Sequence, residues 1–226
     1  MNSNLCLSLA ALCLNPSVMA CSAADANSNA IEPARVLLQH IERDFPGYVV
    51  RGPGGGVYAL TLPNRYASDA ALTSVGELAD LSELTIFSQA HAGDITALGL
   101  ARLQSLTNLD TLTIQCQTTL NPGLLRAVCT LATLRNLTLN RALPPAAEYA
   151  CLTNLTHLRI LALYGVPNFG DAELEQLVNL PLLKQLTLSE AGTSETKLTI
   201  IRRFPSLTNA VFWGYGESLT WSRASK

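Results

Sequence analysis

Residues 152–163 read LTNLTHLRILAL and residues 177–188 read LVNLPLLKQLTL, so that leucines coincide at Leu152/Leu177, Leu155/Leu180, Leu158/Leu183, Leu161/Leu186 and Leu163/Leu188. Five coincidences at one offset mark an internal repeat, and the repeat can be followed in both directions. Apolar pairs separated by one residue fall at Leu60/Leu62, Leu84/Ile86, Leu112/Ile114, Leu137/Leu139, Leu161/Leu163 and Leu186/Leu188, with a weaker Ala210/Phe212. Successive pairs lie 24, 28, 25, 24, 25 and 24 residues apart.

Taking the second member of each pair as position 0, four further columns hold. Position −5 reads Val57, Leu81, Leu109, Leu134, Leu158, Leu183, Leu207; position −8 reads Leu78, Leu106, Leu131, Leu155, Leu180, Phe204. Position −11 reads Val75, Leu103, Val128, Leu152, Leu177, Ile201, and position −14 reads Leu72, Leu100, Leu125, Tyr149, Leu174, Leu198. Positions −2 and 0 alternate with polar residues, as in a short strand with one buried face. Positions −14 and −11 lie on one face of a helix. Position −18 supplies helix starts: Ser68, Thr96, Asn121, Pro145, Gly170 and Ser194. Ser, Thr and Asn accept bonds from free backbone N–H groups there. The following residues Asp69, Asp171 and Glu195 suit the positive helix end, and Pro122 suits a first helical position.

With this register in place, the chain resembles the leucine-rich-repeat superfamily over roughly residues 57–213. It is similar in particular to bacterial exported or lipoprotein-like members, with a segment such as GDAELEQL at 170–177 before the strand. The resemblance implies an α/β solenoid of about seven repeats, a curved right-handed horseshoe with a parallel concave sheet and helices on the convex side. It implies a non-enzymatic interaction scaffold for a protein partner. The chain departs from many such proteins at position +3, where Arg65, Gln89, Gln117, Ala142, Val166 and Ala191 replace an asparagine ladder.

Flanking segments extend the reading. Residues 31–56 are expected to form a cap helix and linker: Glu32-Pro33 opens an amphipathic stretch with Val36, Leu37, Ile41 and Phe45 at helical spacing, and glycine-rich Arg51 to Gly56 reads as a plain linker. Residues 214–226, with Trp221, are expected to cover the last repeat. Residues 1–20 read as a signal peptide, because the apolar run Leu5–Leu14 suits such a core and is too short to span a membrane, although residues 1–5 carry no Lys or Arg. Val18-Met19-Ala20-Cys21 resembles the bacterial lipobox, which implies lipidation at Cys21; residues 21–30 then read as a polar tether. The expected location is the cell envelope or the exterior, with membrane contact only through a lipid on Cys21. The alternative is an intracellular or host-delivered scaffold.

Composition narrows the function classes. The 226 residues carry 14% charged side chains and a net charge of −2, which gives no electrostatic footprint for nucleic acid. The cysteines Cys6, Cys13, Cys21, Cys116, Cys129 and Cys151 show no metal-ligand spacing. Beyond Cys21 three remain, an odd number, so a complete intramolecular disulfide framework among them is impossible. The histidines His40, His91 and His157 fall in the cap helix, a long loop and a convex turn, and no catalytic set, metal or cofactor site is expected. Gly52–Gly56 is too proline-broken for a phosphate loop.

Binding is expected on the concave sheet, where −3, −1 and +1 side chains project opposite to the buried pair. The −1 row holds Thr113, Thr138 and Thr187, whose β-branched side chains favour strands without any functional reason. The +1 row is more informative: Phe87, Gln115, Asn140, Tyr164 and Trp213 include aromatics suited to anchoring a partner. At −4, Arg135, Arg159 and Lys184 fall in consecutive repeats and form a basic stripe able to meet an acidic surface, or simply a solvated edge. His91, in the longest loop, is a weak candidate contact.

Overall fold

The −2 and 0 columns are the first thing the chain buries. In the computed structural model, which describes residues 23–88, 95–116, 123–141, 146–167, 169–191, 194–214 and 217–223, Leu60, Leu62, Leu84, Ile86, Leu112, Ile114, Leu137, Leu139, Leu161, Leu163, Leu186, Leu188, Ala210 and Phe212 are all buried. They sit on seven parallel strands: β2 (Val57–Leu62), β3 (Glu83–Ser88), β4 (Thr111–Cys116), β5 (Asn136–Asn140), β6 (Ile160–Tyr164), β7 (Gln185–Ser189) and β8 (Asn209–Gly214). The strands follow one another in chain order, and each pairing keeps the repeat register, as in Leu84↔Leu112, Leu112↔Leu137 and Leu137↔Leu161. Equivalent leucines therefore stack strand over strand. The order of strands, the parallel pairing and the alternating helices make this a leucine-rich-repeat solenoid.

Strands β2, β3, β4, β6 and β7 are each followed by a turn and a short helix: α2 (Asp69–Val75), α3 (Ala97–Ala101), α4 (Leu124–Val128), α5 (Asp171–Leu177) and α6 (Glu195–Ile201). After β5 the segment is not an α-helix but 3-10 turns over Ala146–Asn154. Helices of five to seven residues are not stable alone, and their −14 and −11 side chains hold them against the sheet. Val75, Leu103, Val128, Leu152, Leu177 and Ile201 are wholly buried. Leu198 is only half-buried, because Lys197 lays its stem inside and its ammonium group donates to the carbonyl of Ala191.

Ser68, Thr96 and Ser194 cap as expected, accepting from the N–H groups of Ala71, Leu98 and Lys197. At Gly170, which has no side chain, Glu173 reaches back to accept from the Gly170 N–H at 2.8 Å. The cap of α4 is Gly123, at φ +87°, while Asn121, Pro122 and Pro145 lie outside the described residues. The caps also link repeats: Asp69 accepts from both the N–H and the hydroxyl of Thr96, at 2.8 and 2.6 Å.

The flanks differ from expectation in three ways. Helix α1 spans Ala23–Asp44 and runs through Pro33, so most of the segment read as a polar tether is helical; its alanines are strong helix formers. Within it Ala34, Leu38 and Ile41 are buried at helical spacing, whereas Val36 is exposed. Arg51–Gly56 is not a linker but a hairpin turn. Strand β1 (Val49–Arg51) pairs antiparallel with β2, and Gly52 donates to the Gly56 carbonyl while Gly55 adopts φ +80°. At the other end β9 (Glu217–Ser222) pairs antiparallel with β8, and Trp221 packs against the core.

Two of the three downstream cysteines do pair. Cys129, at the end of α4, and Cys151, in the 3-10 segment of the next repeat, form a disulfide with Cα atoms 5.8 Å apart.

Candidate binding site

Because the −2 and 0 side chains face the helices, the −3, −1 and +1 side chains form the other, open face of the sheet. At the C-terminal ends of the strands this face deepens into a trough of about 750 Å³. Its floor is the +1 row: Pro63, which directly follows β2, and Phe87, Gln115, Asn140, Tyr164 and Ser189, one from each of the five strands β3 to β7. Phe87, Gln115, Asn140 and Tyr164 are thus brought together in one cavity. Trp213 lies beyond it, 47% exposed, with its ring 6.2 Å from that of Tyr164. Thr113, Thr138 and Thr187 sit half-buried in the adjoining −1 row and do not line the trough.

One wall comes from outside the repeats. Phe45 and Tyr48, in the turn after α1, stack on each other at 5.2 Å and face the trough. Arg65 lies over the rings of Phe45 and Tyr66, at 5.0 and 5.5 Å, and pairs with Asp44 at 3.2 Å. Asp44 also accepts from the Tyr66 hydroxyl at 2.6 Å and from Arg43 at 2.8 Å. The bond from Arg43 and then that from Tyr66 hold the Asp44 carboxyl down to about 2; the same contact raises the Tyr66 hydroxyl above its ordinary value. The wall is therefore fixed before any ligand arrives.

The opposite rim carries backbone strain. Arg141, Gly165 and Glu190 occupy position +2 in three successive repeats and all have left-handed φ, at +55°, +68° and +65°. Only glycine adopts that conformation freely. The Arg141 N–H donates to the carbonyl of Tyr164, and the Glu190 N–H to that of Trp213, so the strained turns are stitched to the +1 row of the next strand. Glu190 and Arg141 are exposed.

At the N-terminal ends of the same strands, Arg135, Arg159 and Lys184 are exposed and none forms an ion pair with a described residue. Their backbones are laddered: Arg159 N–H donates to the Arg135 carbonyl and Lys184 N–H to the Arg159 carbonyl, at 2.7 and 2.8 Å. Consecutive charges thus lie about one interstrand spacing, ~4.8 Å, apart at the backbone. The sheet presents a polar-aromatic trough along one edge and a cationic stripe along the other.

The +2 residues, Arg65 and the cap aromatics are absent from the sequence-derived site. A strand-based rule ends at +1, and Phe45 reads equally well as helix packing. His91 and Cys21 lie outside the described residues. Among the described residues no three His, Cys, Asp or Glu side chains converge as metal ligands, and no helix is long and apolar enough to cross a membrane.

The fold and this site together define a repeat solenoid with an open, partly aromatic sheet face. No family model matches the chain, and no curated protein matches it. Among solved structures it is similar to an internalin (inlF) from Listeria monocytogenes, at 17% identity and a TM-score of 0.41, over 75% of this chain and 53% of that one. The chain thus spans about half the length of that internalin.

Proposed function

We propose that this chain is a non-catalytic interaction module that binds a protein partner across the open sheet face. The observation that carries this reading is the convergence of Phe45, Tyr48, Phe87 and Tyr164 with the amides Gln115 and Asn140 in one preorganised trough. Aromatic anchors with fixed rotamers lose little entropy on binding, and such residues dominate interface energetics. Arg135, Arg159 and Lys184, exposed at the opposite edge and without an ion pair to any described residue, meet an acidic patch on the partner and steer its approach.

The module works outside the reducing cytosol. The Cys129–Cys151 disulfide supports export, since such bonds persist in oxidising compartments, and it favours this over an intracellular scaffold. The apolar leader at 5–14 and the lipobox-like Val18–Cys21 support the same reading, with Cys21 as the anchor point.

Two experiments test this. Expression of the full chain in a Gram-negative host, followed by mass determination of the mature N-terminus, is expected to find a lipid-modified Cys21; an intact Met1 refutes export by this leader. Proximity labelling in the envelope is expected to identify a protein whose binding falls about tenfold with Tyr164→Ala and with Arg159→Glu. Binding unchanged by both substitutions refutes the site.

A further inference from the structure

The two ends of the solenoid are closed differently. At the N-terminal end β1 is three residues long, its pairing with β2 shifts between Val50 and Arg51, and Arg51 is tied to Glu42 of α1 at 2.8 Å. Short strands, bulges and charges are the usual means of blunting a sheet edge. At the C-terminal end β9 is six residues long, pairs with β8 unbroken from Glu217 to Ser222, and contains no Lys, Arg or Pro. It stands last in the strand order, and Ser218, Thr220 and Ser222 are exposed. Leu219 and Trp221 share a face with the buried pair Phe212 and Ala210, yet they are only half-buried.

The backbone of β9 is set up to pair again. The Arg223 N–H donates to the Thr208 carbonyl at 2.9 Å, and the register then runs from Asn209↔Ser222 to Gly214↔Glu217. Backbone groups in an antiparallel strand point alternately to one side and the other. Those of residues 217, 219, 221 and 223 therefore turn toward β8, and those of Ser218, Thr220 and Ser222 turn outward. Among the described residues nothing bonds to these outward groups.

The sequence of this edge complements itself. Residues 217–223 read ESLTWSR. When two copies pair antiparallel about Thr220, residue 217, a glutamate, comes opposite residue 223, an arginine. Ser218 then meets Ser222, Leu219 meets Trp221, and Thr220 meets its own equivalent. This register also uses all three outward residues, because Thr220 exchanges both backbone bonds with its equivalent and Ser218 does so with Ser222 of the second copy. Any other symmetric register leaves an outward residue without a partner and separates the opposite charges. Arg223 is held at the edge by its bonds to the carbonyls of Phe204 and Pro205, and no described carboxylate pairs with it.

We infer that the C-terminal edge of the solenoid docks a second copy of this chain, β9 against β9, about a two-fold axis through Thr220. Such an interface closes on itself, whereas β9 against the short β1 of another copy would propagate as a filament. The axis runs perpendicular to the sheet, so both open faces lie on the same side and the nine-stranded sheet is doubled. The inference goes beyond the proposed function and is independent of it.

Sedimentation equilibrium of the full chain tests it. The expected result is a concentration-dependent equilibrium that ends at the dimer. Thr220→Pro removes an N–H that the monomer does not use, and it is expected to weaken the dimer at least about tenfold while circular dichroism stays unchanged. Glu217→Arg and Arg223→Glu are each expected to weaken it about tenfold, and the two together to restore it to within about threefold, a rescue that a folding defect cannot produce. A monomer at every concentration up to about 1 mM overturns the inference. So does a dimer indifferent to Thr220→Pro, a charge exchange without rescue, or open-ended growth, which would mean pairing of β9 with β1.

Discussion

At Gly76, a methyl group would lie 2.8 Å from the backbone carbonyl oxygen of Arg102 in the next repeat, so neighbouring turns touch there with no room for a side chain. Backbone cannot yield as a side chain can. Gly76→Ala is expected to cost about 1–3 kcal/mol in chemical denaturation. Gly56→Ala serves as the contrast, because the nearest atoms to its methyl all belong to the Asp80 side chain, whose carboxylate can swing away while its Cβ, at 3.1 Å, gives by a few tenths of an ångström, so a smaller cost of about 1 kcal/mol is expected. The left-handed residues of the trough rim make the opposite prediction. Glu190→Gly relieves a conformation costing roughly 1–2 kcal/mol and adds some chain entropy to the unfolded state, so a net gain of about 0.5–1 kcal/mol is expected. Loss of stability in that variant would mean that the Glu190 side chain makes a stabilising contact that outweighs the strain.

Among the elements, the 3-10 segment Ala146–Asn154 is the least regular layer of the stack, and the disulfide joins it to α4. Closing a loop with 22 residues of sequence separation removes chain entropy from the unfolded state worth about 3 kcal/mol. The double substitution Cys129→Ser/Cys151→Ser, or reduction of the native chain, is expected to lower stability by that order in urea titrations. Reductant that leaves the midpoint unmoved would show that the bond contributes nothing. The cysteines stand in two successive repeats, at −10 and −12, so their proximity follows from the register once the stack is known. From the sequence only their odd number was readable, since spacing alone does not say which pair of three will meet. The cap strands show a similar split: Trp221 was legible as a cover for the last repeat, but the hairpin at Arg51–Gly56 carries no repeat signal and its pairing with β2 depends on where α1 docks.

For the whole molecule, stability in a solenoid is a sum over neighbouring layers, and titration of one buried group reports on all of them. Tyr149, buried against Phe169 with rings 4.9 Å apart, has its hydroxyl pushed up to about 12 by burial and then by Glu173. A raised value means that folding favours the neutral phenol, so its contribution is complete below pH 10 and is lost as pH rises from 10 toward about 12. The melting temperature is expected to fall over that window and to fall less in Tyr149→Phe. Asp44 acts in the other direction: its lowered value contributes above pH 3.8 and is lost as pH falls toward about 2, where the trough wall loosens. Asp44→Asn is expected to flatten the acid limb of the melting curve; an unchanged limb would remove Asp44 from the wall.

The repeat period, the buried columns, three of the helix caps and the grouping of Phe87, Gln115, Asn140 and Tyr164 on one sheet face were determined by the sequence alone, because strand and helix periodicities are local and the same pattern is written seven times. The tertiary structure decided what local periodicity does not encode: which cysteines pair, that Phe45 and Tyr48 leave the cap to wall the trough, and that Arg141, Gly165 and Glu190 turn left-handed at its rim. Those features depend on how successive layers and the two ends are placed against one another, and that placement is set by packing across 20 or more residues rather than by any single stretch of chain.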